Sequence, residues 1–203
     1  MAEKQVEGFI LAGGESSRMG RDKALLELDG TPLIVRAARL LESVVGAPTV
    51  VGYREEFRAL GLRTIADDAP GAGPLGGIAT ALHEALAPWS LIVACDLPYL
   101  TQAWLEFLTG RAVESQSDVV MPMNERGAEP LCAVYNKRAE KIIQEALTRG
   151  TRKITDALAD ARIEAIEPSE WKAFDSDGVL FKNMNSPTDY EESKARLGGP
   201  SRK

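Results

Sequence analysis

The sequence predicts a three-layer α/β fold of the Rossmann-like class, built as a single domain around a mostly parallel sheet. Two observations support this prediction. Short apolar runs rich in branched residues recur along the chain, and stretches with helical spacing separate them. The resulting β-α-β order favours parallel strands, because each helix returns the chain to the same edge of the sheet. With 203 residues and 44% hydrophobic content, the chain can bury one sizeable core.

Six segments are predicted to form strands. Four of them are apolar runs at Val6 to Leu11, Pro48 to Gly52, Leu91 to Ala94 and Asp118 to Met121. The fifth segment, Ala128 to Tyr135, follows a turn at Glu125 to Gly127, so it is a candidate antiparallel addition to the sheet. The sixth is Arg162 to Ile166, in a less regular final third of the chain.

The helices are predicted from apolar periodicity and from proline positions. Pro32 precedes LIVRAARLLESV, which suits a first-turn proline and an amphipathic helix. Its predicted apolar face consists of Leu33, Ala37, Leu40 and Leu41. Further helices are predicted at Glu55 to Leu60, Gly76 to Leu86, Thr101 to Ala112, Lys137 to Thr148 and Lys153 to Ala159, with a closing helix from Pro187.

The composition, the net charge and the lack of linkers or long apolar runs indicate the number of domains, the cellular location and the kinds of partner. No repeat, linker or low-complexity block divides the sequence, so we expect one domain over residues 1–197 and a disordered tail over 198–203. No apolar run could span a bilayer and the N-terminus lacks signal-peptide features, so a cytoplasmic location is expected. The net charge of −6 argues against nucleic-acid or membrane partners.

Cysteine and histidine usage excludes several kinds of site. Cys95 and Cys132 are too few for a disulfide framework or a structural zinc site, and we expect both to be reduced. The single histidine, His83, lies in a helical run, where a solvated or half-buried side chain is expected rather than a catalytic base. The sequence therefore predicts no metal site made of histidines.

The segment ILAGGESSRMGRDK, from Ile10 to Lys23, has the composition of a phosphate-binding loop after the first strand. In parallel sheets, ligands bind at the carboxyl ends of strands. Gly13 and Gly14 allow the main chain to approach a bound group, and successive N–H groups after them can point at phosphate oxygens. Arg18 and Lys23 add positive charge.

A polar surface loop with solvated Arg21 and Lys23 is the alternative for the same segment. Its spacing is neither GxxxxGK[ST] nor GxGxxG, so neither a P-loop nor a dinucleotide fingerprint is present. Composition alone leaves the two interpretations about equal.

The order of residues in five segments resembles one protein family. The first segment reads LAGGxSxRMGxDKAxLxLxGxPL from Leu11 to Leu33. The others are DDAPGAGPLGG at Asp67 to Gly77, ACDLP at Ala94 to Pro98, EPLCAVY at Glu129 to Tyr135 and NMNSPTDY at Asn183 to Tyr190. This series is similar to the motifs of the molybdenum cofactor guanylyltransferase family. The resemblance implies the fold of the nucleotide-diphospho-sugar transferase type.

The resemblance implies a nucleotide site built largely from the first segment. Leu11, Ala12 and Gly13 would line the guanine and ribose with their backbone, and Gly14 would also belong to the nucleotide site. Lys23 would pair with the triphosphate, and Arg18 would assist the departing pyrophosphate. The segment LAGG, where related cytidylyl enzymes carry LAAG, favours GTP. The loop GAGPLGG, including Gly73, would close over the nucleoside with Asp67 as a contact. A turn before a helix would explain that loop equally well.

Asp96 is the candidate ligand for Mg²⁺. It follows the apolar run SLIVAC and should face the same crevice as the first loop. One or two carboxylates commonly suffice for magnesium, because water and substrate phosphates complete its octahedron. The alternative, a helix cap, is weakened because Thr101 is the better cap for the next helix. Cys95 should face the opposite side and belong to the core.

Two further groups are candidates for the acceptor side of the site. Asn183 and Asn185 share a face if the chain is extended there. The resemblance implies that they bind the second substrate or complete the metal shell, and turn formation before Pro187 is the equal alternative. Glu129 and Pro130, with the basic pair Arg152 and Lys153, are candidates for the pterin side.

The resemblance implies an enzyme that transfers GMP from GTP to the terminal phosphate of molybdopterin. GTP, molybdopterin and Mg²⁺ are the expected ligands, and proteins that insert or receive the cofactor are candidate partners. Cytidylyl transfer to molybdopterin, nucleotidyl transfer to a sugar phosphate and a non-catalytic GTP-binding adaptor remain open. One departure weakens the case for guanine: VVGYREE, from Val50 to Glu56, lacks the asparagine that the family often has there.

Overall fold

The protein is described here by a computed structural model covering residues 4–12, 22–125 and 127–197. The strands within these ranges are β1 Val6–Leu11, β2 Glu27–Leu28, β3 Thr31–Pro32, β4 Thr49–Val51, β5 Arg63–Ile65, β6 Trp89–Ala94, β7 Val119–Asn124, β8 Gly127–Ala128, β9 Cys132–Asn136 and β10 Ile163–Ile166. All six predicted strand segments contain a strand. The tail 198–203 lies outside the described residues, so its predicted disorder stays a prediction.

The main sheet of the described chain is mixed but mostly parallel. Its order is β10-β7-β9-β6-β1-β4-β5, with β8 paired to β7, while β2 and β3 form a separate two-stranded ribbon. β1 runs parallel to β4 and β6, β4 to β5, and β7 to β10. β9 is antiparallel to both of its neighbours, β6 and β7. The predicted antiparallel addition is therefore confirmed, and it lies inside the sheet rather than at its edge.

Helices cover both faces of the sheet. They are α1 Leu33–Val45, α2 Glu55–Ala59, α3 Pro74–Glu84, α4 Gln102–Glu114, α5 Ala139–Thr148, α6 Ile154–Ala157, α7 Pro168–Trp171 and α8 Pro187–Leu197, with 3-10 turns at Lys23–Leu25 and Lys172–Phe174. Helix α7 was not predicted. It begins with a capping box between its N-cap, Glu167, and Glu170, and Pro168 is its first residue.

The three-layer arrangement follows from the alternation of side chains along the strands. In β1, Ile10 packs with α1 and α4 on one face of the sheet, whereas Phe9 and Leu11 pack with α3 and α5 on the other. The helices carry large buried residues to these cores, such as Trp104 from α4 and Ile143 from α5. Packing on both faces of the sheet thereby fixes the carboxyl ends of the parallel strands relative to one another.

The buried face of α1 differs from the predicted one. Leu33 and Leu41 are fully buried, but Ala37 and Leu40 are only partly covered. The residues that complete the buried face are Ile34 and Ala38. The observed buried face is therefore rotated about the helix axis relative to the predicted one. The spacing of apolar residues alone does not fix this rotation. As a consequence, the positions beside Ala37 border a surface cavity.

None of the helices in the described ranges has the length and apolar character that crossing a membrane requires.

Candidate functional site

A cleft of the described chain opens at the carboxyl ends of three adjacent parallel strands. Leu11, the last residue of β1, is in register with Val51 of β4 on one side and with Ala94 of β6 on the other. All three line a cleft of about 780 Å³. The chain leaves β1 toward β4 and returns on the opposite side as β6. Such a reversal of strand order leaves a crevice where ligands bind in open α/β sheets.

Main-chain hydrogen bonds extend the sheet pairing past the strand ends. The N–H of Ala12 donates to the carbonyl of Val51 at 3.1 Å, and the N–H of Cys95 donates to the carbonyl of Leu11 at 3.2 Å. Leu11 and Ala12 are buried and line the cleft. The floor of the site is therefore rigid backbone. The predicted contacts Gly13, Gly14 and Arg18 lie outside the described residues.

Lys23 is held at the cleft by the residue before it. It is the first residue of a 3-10 turn whose N-cap is Asp22, and Oδ1 of Asp22 accepts a hydrogen bond from the N–H of Ala24 at 3.0 Å. The other carboxylate oxygen, Oδ2, lies 3.0 Å from Nε of Arg54. Asp22 and Arg54 both line the cleft. Asp22 thus caps the turn that carries Lys23 and forms an ion pair with Arg54, although its Oδ2 accepts no hydrogen bond from the described residues.

Three predicted site residues from distant parts of the chain meet at the cleft. Nζ of Lys23 donates to Oδ1 of Asn185 at 2.7 Å, although 162 positions separate them in sequence. The same Nζ lies 3.8 Å from Oδ2 of Asp96. The side chains of Lys23 and Asp96 are only 21% and 22% exposed, so the bulk solvent screens this ion pair weakly. The arrangement places one mobile positive charge beside one carboxylate and one amide.

Burial sets the protonation behaviour of Asp96. Loss of solvation raises the pKa of its carboxyl group, and the positive charge of Lys23 and a backbone hydrogen bond oppose that rise without cancelling it. A positive charge in addition to Lys23 would therefore stabilise the ionised carboxylate. Asp96 does not cap α4, since the hydroxyl of Thr101 accepts the hydrogen bond from the N–H of Trp104 at 3.3 Å.

Cys95, next to Asp96, has two environments. It packs against the core between the sheet and helices α1 and α4, as predicted, but it also borders the cleft. Burial, assisted by the negative charge of Asp96, raises the pKa of its thiol to about 12. Cys132 is fully buried, and both cysteines are free. The thiol of Cys95 is therefore protonated at neutral pH and is a poor nucleophile.

The segment from Asn183 to Asn185 is tied to Asp96 through the main chain. The N–H of Met184 donates to the carbonyl of Asp96 at 2.9 Å. The Met184 side chain is buried with Leu28 and Leu33, whereas both asparagines are exposed on the opposite side. Within this segment Asn185 accepts a hydrogen bond from Lys23, and among the described residues the Asn183 side chain has no hydrogen bond to Lys23 or Asp96. The two asparagines are exposed on either side of the buried Met184, which is compatible with a shared face, and of the two only Asn185 is hydrogen-bonded to Lys23.

The turn interpretation of Asn185 also holds. Its N–H and that of Ser186 donate to Oδ2 of Asp189 at 3.0 and 2.8 Å, which closes the turn that starts α8. The two roles are compatible, because the turn uses the backbone of Asn185 and leaves its amide group for Lys23.

The loop before α3 forms the opposite wall of the cleft. Asp67 lines it, and its Oδ1 accepts hydrogen bonds from the N–H of Ala69 at 2.9 Å and from the hydroxyl of Thr80 at 3.3 Å. Gly73 also lines the cleft, and its φ of +65° is one that other residues rarely adopt. Pro74 follows as the first residue of α3. Because Asp67 bonds its own loop, it acts first as a structural support of this wall.

The remaining predicted acceptor residues lie outside the cleft lining. Glu129 accepts a hydrogen bond from the Asn124 amide, and the carbonyl of Pro130 accepts one from the Tyr135 hydroxyl at 2.7 Å. Leu131, the next residue, does line the cleft. Arg152 and Lys153 are exposed before α6, and Lys153 pairs with Asp156 at 3.2 Å. Their assignment to the pterin side stays a prediction.

His83 is exposed, as predicted, and is remote from the cleft lining. Its Nδ1 lies 3.0 Å from Oε1 of Glu140.

Comparison with known proteins decides the family. The MobA-like NTP transferase domain matches residues 8–163. This chain belongs to that family. A probable molybdenum cofactor guanylyltransferase of Pelotomaculum thermopropionicum is 35% identical, covering 94% of this chain and 92% of its own. A molybdenum cofactor guanylyltransferase of Desulfosudis oleivorans is also 35% identical, covering 95% and 96%. The predicted resemblance is confirmed.

Solved structures confirm the predicted fold type. The molybdopterin-guanine dinucleotide biosynthesis protein A of Archaeoglobus fulgidus matches with a TM-score of 0.84 at 24% identity, over 96% of this chain and 100% of that one. A putative glucose-1-phosphate thymidylyltransferase of Bacillus anthracis matches with a TM-score of 0.72 at 14% identity, over 98% and 97%. The MobA-like chain therefore has the fold of the nucleotide-diphospho-sugar transferases.

Sequence reasoning missed two residues of this MobA-like site, Asp22 and Arg54. An aspartate just before a short helical turn is an N-cap signal, so the local role of Asp22 could have been found. Arg54 lies in VVGYREE, the segment that lacks the family's asparagine, and nothing in its local sequence connects it with Asp22. The contact exists because the end of β4 and the turn at Lys23 face the same cleft.

Proposed function

We propose that this chain transfers GMP from GTP to the terminal phosphate of molybdopterin, giving molybdopterin guanine dinucleotide and pyrophosphate. The convergence of Lys23, Asp96 and Asn185 at the carboxyl ends of β1 and β6 carries this proposal. The names of the relatives from P. thermopropionicum and D. oleivorans support the choice of GTP and of the molybdenum cofactor.

The reaction is a nucleophilic displacement at phosphorus. An oxygen of the acceptor phosphate attacks the α-phosphorus of GTP, and a new phosphorus–oxygen bond forms. The bond between the α-phosphorus and the oxygen that bridges to the β-phosphate breaks, so pyrophosphate leaves with the electron pair. A phosphate monoester has a second pKa of about 6 and is largely ionised at neutral pH. No side chain has to remove a proton from it.

The protein contributes alignment and charge to this displacement. The lysine ammonium is a compact charge on a flexible stem, so Lys23 can follow the phosphates as pyrophosphate departs. Asn185 orients that ammonium through a 2.7 Å hydrogen bond. The buried backbone of Leu11 and Ala12 would contact the nucleoside. Asp67 and Gly73 would line the other side of it from the loop before α3. Arg18, Gly13 and Gly14 belong to the proposal on sequence grounds alone.

The residues around Asp96 fit Mg²⁺. The described residues contain no group of three or more histidine, cysteine or acidic side chains that could hold a metal alone. Magnesium commonly needs one or two carboxylates, and the Asp96 carboxylate and the Asn185 amide oxygen are the hard oxygen donors it prefers. Burial raises the pKa of Asp96, so this carboxyl group is favourably placed to meet a second cation. When bound, Mg²⁺ would neutralise charge on the phosphates.

A pyrophosphate-release assay tests the proposed function. The purified protein is incubated with Mg²⁺ and with GTP, CTP, ATP or UTP, each paired with molybdopterin, a sugar 1-phosphate or no acceptor. We expect release only with GTP and molybdopterin, with the guanine dinucleotide as the second product. Release from CTP instead of GTP would identify a cytidylyltransferase, and release with the sugar phosphate would identify a sugar nucleotidyltransferase. GTP binding without any product would identify a non-catalytic protein. Each of these three results contradicts the proposal.

A further inference from the structure

A second cavity lies beside the nucleotide cleft, on the other side of Cys95. Its volume is about 280 Å³, and Cys95 borders both cavities. One wall belongs to α1 and includes Arg36 and Arg39, and the other is the chain just after Asp96, at Leu97 and Pro98. The cavity is thus adjacent to the proposed reaction centre.

The lining of this cavity is positively charged within an acidic protein. The chain has a net charge of −6, yet Arg36 and Arg39 are the charged residues on the lining, and no acidic residue of the described chain accompanies them there. Some other arginines have carboxylate partners at 3.2 Å or less, such as Arg111 with Glu164 and Arg162 with Asp118. Two positive charges are therefore concentrated where no carboxylate offsets them.

The Arg36 side chain has a donor that needs a partner. Its Nε is buried and has no hydrogen-bond acceptor within the part of the chain that the structure describes. Buried polar groups in native proteins are nearly always hydrogen-bonded, because an unsatisfied donor loses its hydration without compensation. The guanidinium fork is suited to bind two oxygens of one anion. Because Nε is buried, the terminal N–H groups of Arg36 are the donors that an anion in the cavity can reach.

We propose that this cavity binds a phosphate-type oxyanion at Arg36 and Arg39. A doubly charged tetrahedral anion matches two guanidinium groups and the hydroxyl of Thr31, which also lines the cavity. A monocarboxylate brings one charge and two oxygens and would leave part of this donor set unused. The proposal is independent of the reaction in the main cleft.

Calorimetric titration with inorganic phosphate tests the site. The same titration is made with pyrophosphate and with acetate, and arginine Nε–Hε NMR signals report which side chain is contacted. Lys23→Ala removes the main phosphate-binding charge of the nucleotide cleft, so binding that persists in this variant belongs elsewhere. The site variants are Arg36→Gln and Arg36→Lys. Arg63→Gln is the matched control, because Arg63 is exposed on β5 and outside both cavities.

The expected result is phosphate binding that persists in Lys23→Ala and weakens at least about tenfold in Arg36→Gln, the effect of losing one charge-assisted bidentate contact. Arg36→Lys keeps the charge but lacks the fork and should be intermediate, and the NMR signal lost in Arg36→Lys should be the one that phosphate shifts. Thermal unfolding of each variant verifies that it is folded.

Three results would overturn the proposal. The first is phosphate affinity that is equal in the Arg36→Gln variant and in the unaltered protein, or absent from both. The second is an equal loss in Arg63→Gln, which would indicate attraction to overall charge. The third is acetate binding as tightly as phosphate, which would assign the cavity to carboxylates, including an acidic side chain of a partner protein.

Discussion

Asp22 links Arg54 to the backbone of the turn that carries Lys23: its Oδ2 lies 3.0 Å from Nε of Arg54, and its Oδ1 accepts a hydrogen bond from the N–H of Ala24. Arg54 comes just after β4, so the pair joins the end of a strand to the 3-10 turn across the cleft. We therefore expect the ion pair between Asp22 and Arg54, which are far apart in sequence, to help hold the turn that carries Lys23.

We expect Arg54→Met to lower kcat of pyrophosphate release by about ten- to a hundredfold, because small misplacements of a catalytic group have effects of this size. Arg54→Lys should recover part of the loss, since a lysine can still pair with Asp22. Steady-state kinetics with varied GTP measure the effect. Arg58→Met is the control, because Arg58 is exposed on α2 and outside the cleft lining. An equal effect of both methionine variants would contradict a positioning role for Arg54.

Lys23→Ala should lower turnover by orders of magnitude, because it removes the charge that accompanies the departing pyrophosphate. Stability should change little, because burial already raises the pKa of Asp96 and its carboxyl group can take up a proton once the lysine ammonium is lost. Single-turnover pyrophosphate release and thermal unfolding measure the two quantities. Lys141→Ala is the control, because Lys141 is exposed on α5 and remote from the cleft lining. Near-normal turnover in Lys23→Ala would rule out the assigned role.

Asp96→Asn should also lower turnover by orders of magnitude while leaving the fold intact. The amide has nearly the shape of the carboxyl group, and burial disfavours the charge that the substitution removes. The Mg²⁺ dependence distinguishes the role: the variant should need a much higher Mg²⁺ concentration for half-maximal rate. If the variant keeps the Mg²⁺ dependence of the unaltered protein, Asp96 is not the metal ligand.

Asn185→Ala and Asn183→Ala form a matched pair on one segment. Asn185 orients the Lys23 ammonium, so its loss should lower kcat by about tenfold, the range of a hydrogen bond to a charged group. Asn183 is exposed and, among the described residues, has no hydrogen bond to Lys23 or Asp96, so its loss should act, if at all, on KM for the acceptor. Kinetics with each substrate varied in turn separate these effects. A larger fall in kcat for Asn183→Ala would reverse the two assignments.

The ionisation of Asp118 should make the free energy of unfolding depend on pH in the acidic range. Hydrogen bonds from Arg162, supported by Arg138, lower the pKa of this buried carboxyl group from 3.8 to about 2. Because the folded-state pKa is the lower one, the stabilisation is present above pH 3.8 and disappears as the pH falls toward 2. The shift corresponds to about 2 kcal/mol.

Urea unfolding at pH 6 and near pH 2 measures this contribution. The difference in the free energy of unfolding between the unaltered protein and Asp118→Asn should be largest at pH 6 and shrink by about 2 kcal/mol in acid. Asp160→Asn, at an exposed position, is the control. A difference that does not change with pH would show that Asp118 is not stabilised as an anion.

Local pattern predicted most of the secondary structure because periodicity and turn chemistry act over a few residues. The runs VEGFIL and WSLIVA became β1 and β6, and Thr101 caps α4 as expected. The predicted buried face of α1 was wrong by a partial rotation of the helix, since Ala37 is partly covered and Ala38 is buried. Alanine has no strong preference for either environment, so the pattern could not decide between them.

The order of residues along the chain determined, by itself, the family, the fold class and the candidates Lys23, Asp96 and Asn185, because these depend on motif order and on which residues follow apolar strands. Only the tertiary structure decided that β9 lies between β6 and β7 and that Asn185 reaches Lys23. It also brought Arg54 to Asp22 and left Nε of Arg36, beside a cavity, without an acceptor among the described residues. Such contacts depend on how distant elements pack, and no local spacing encodes which side chains then face one another.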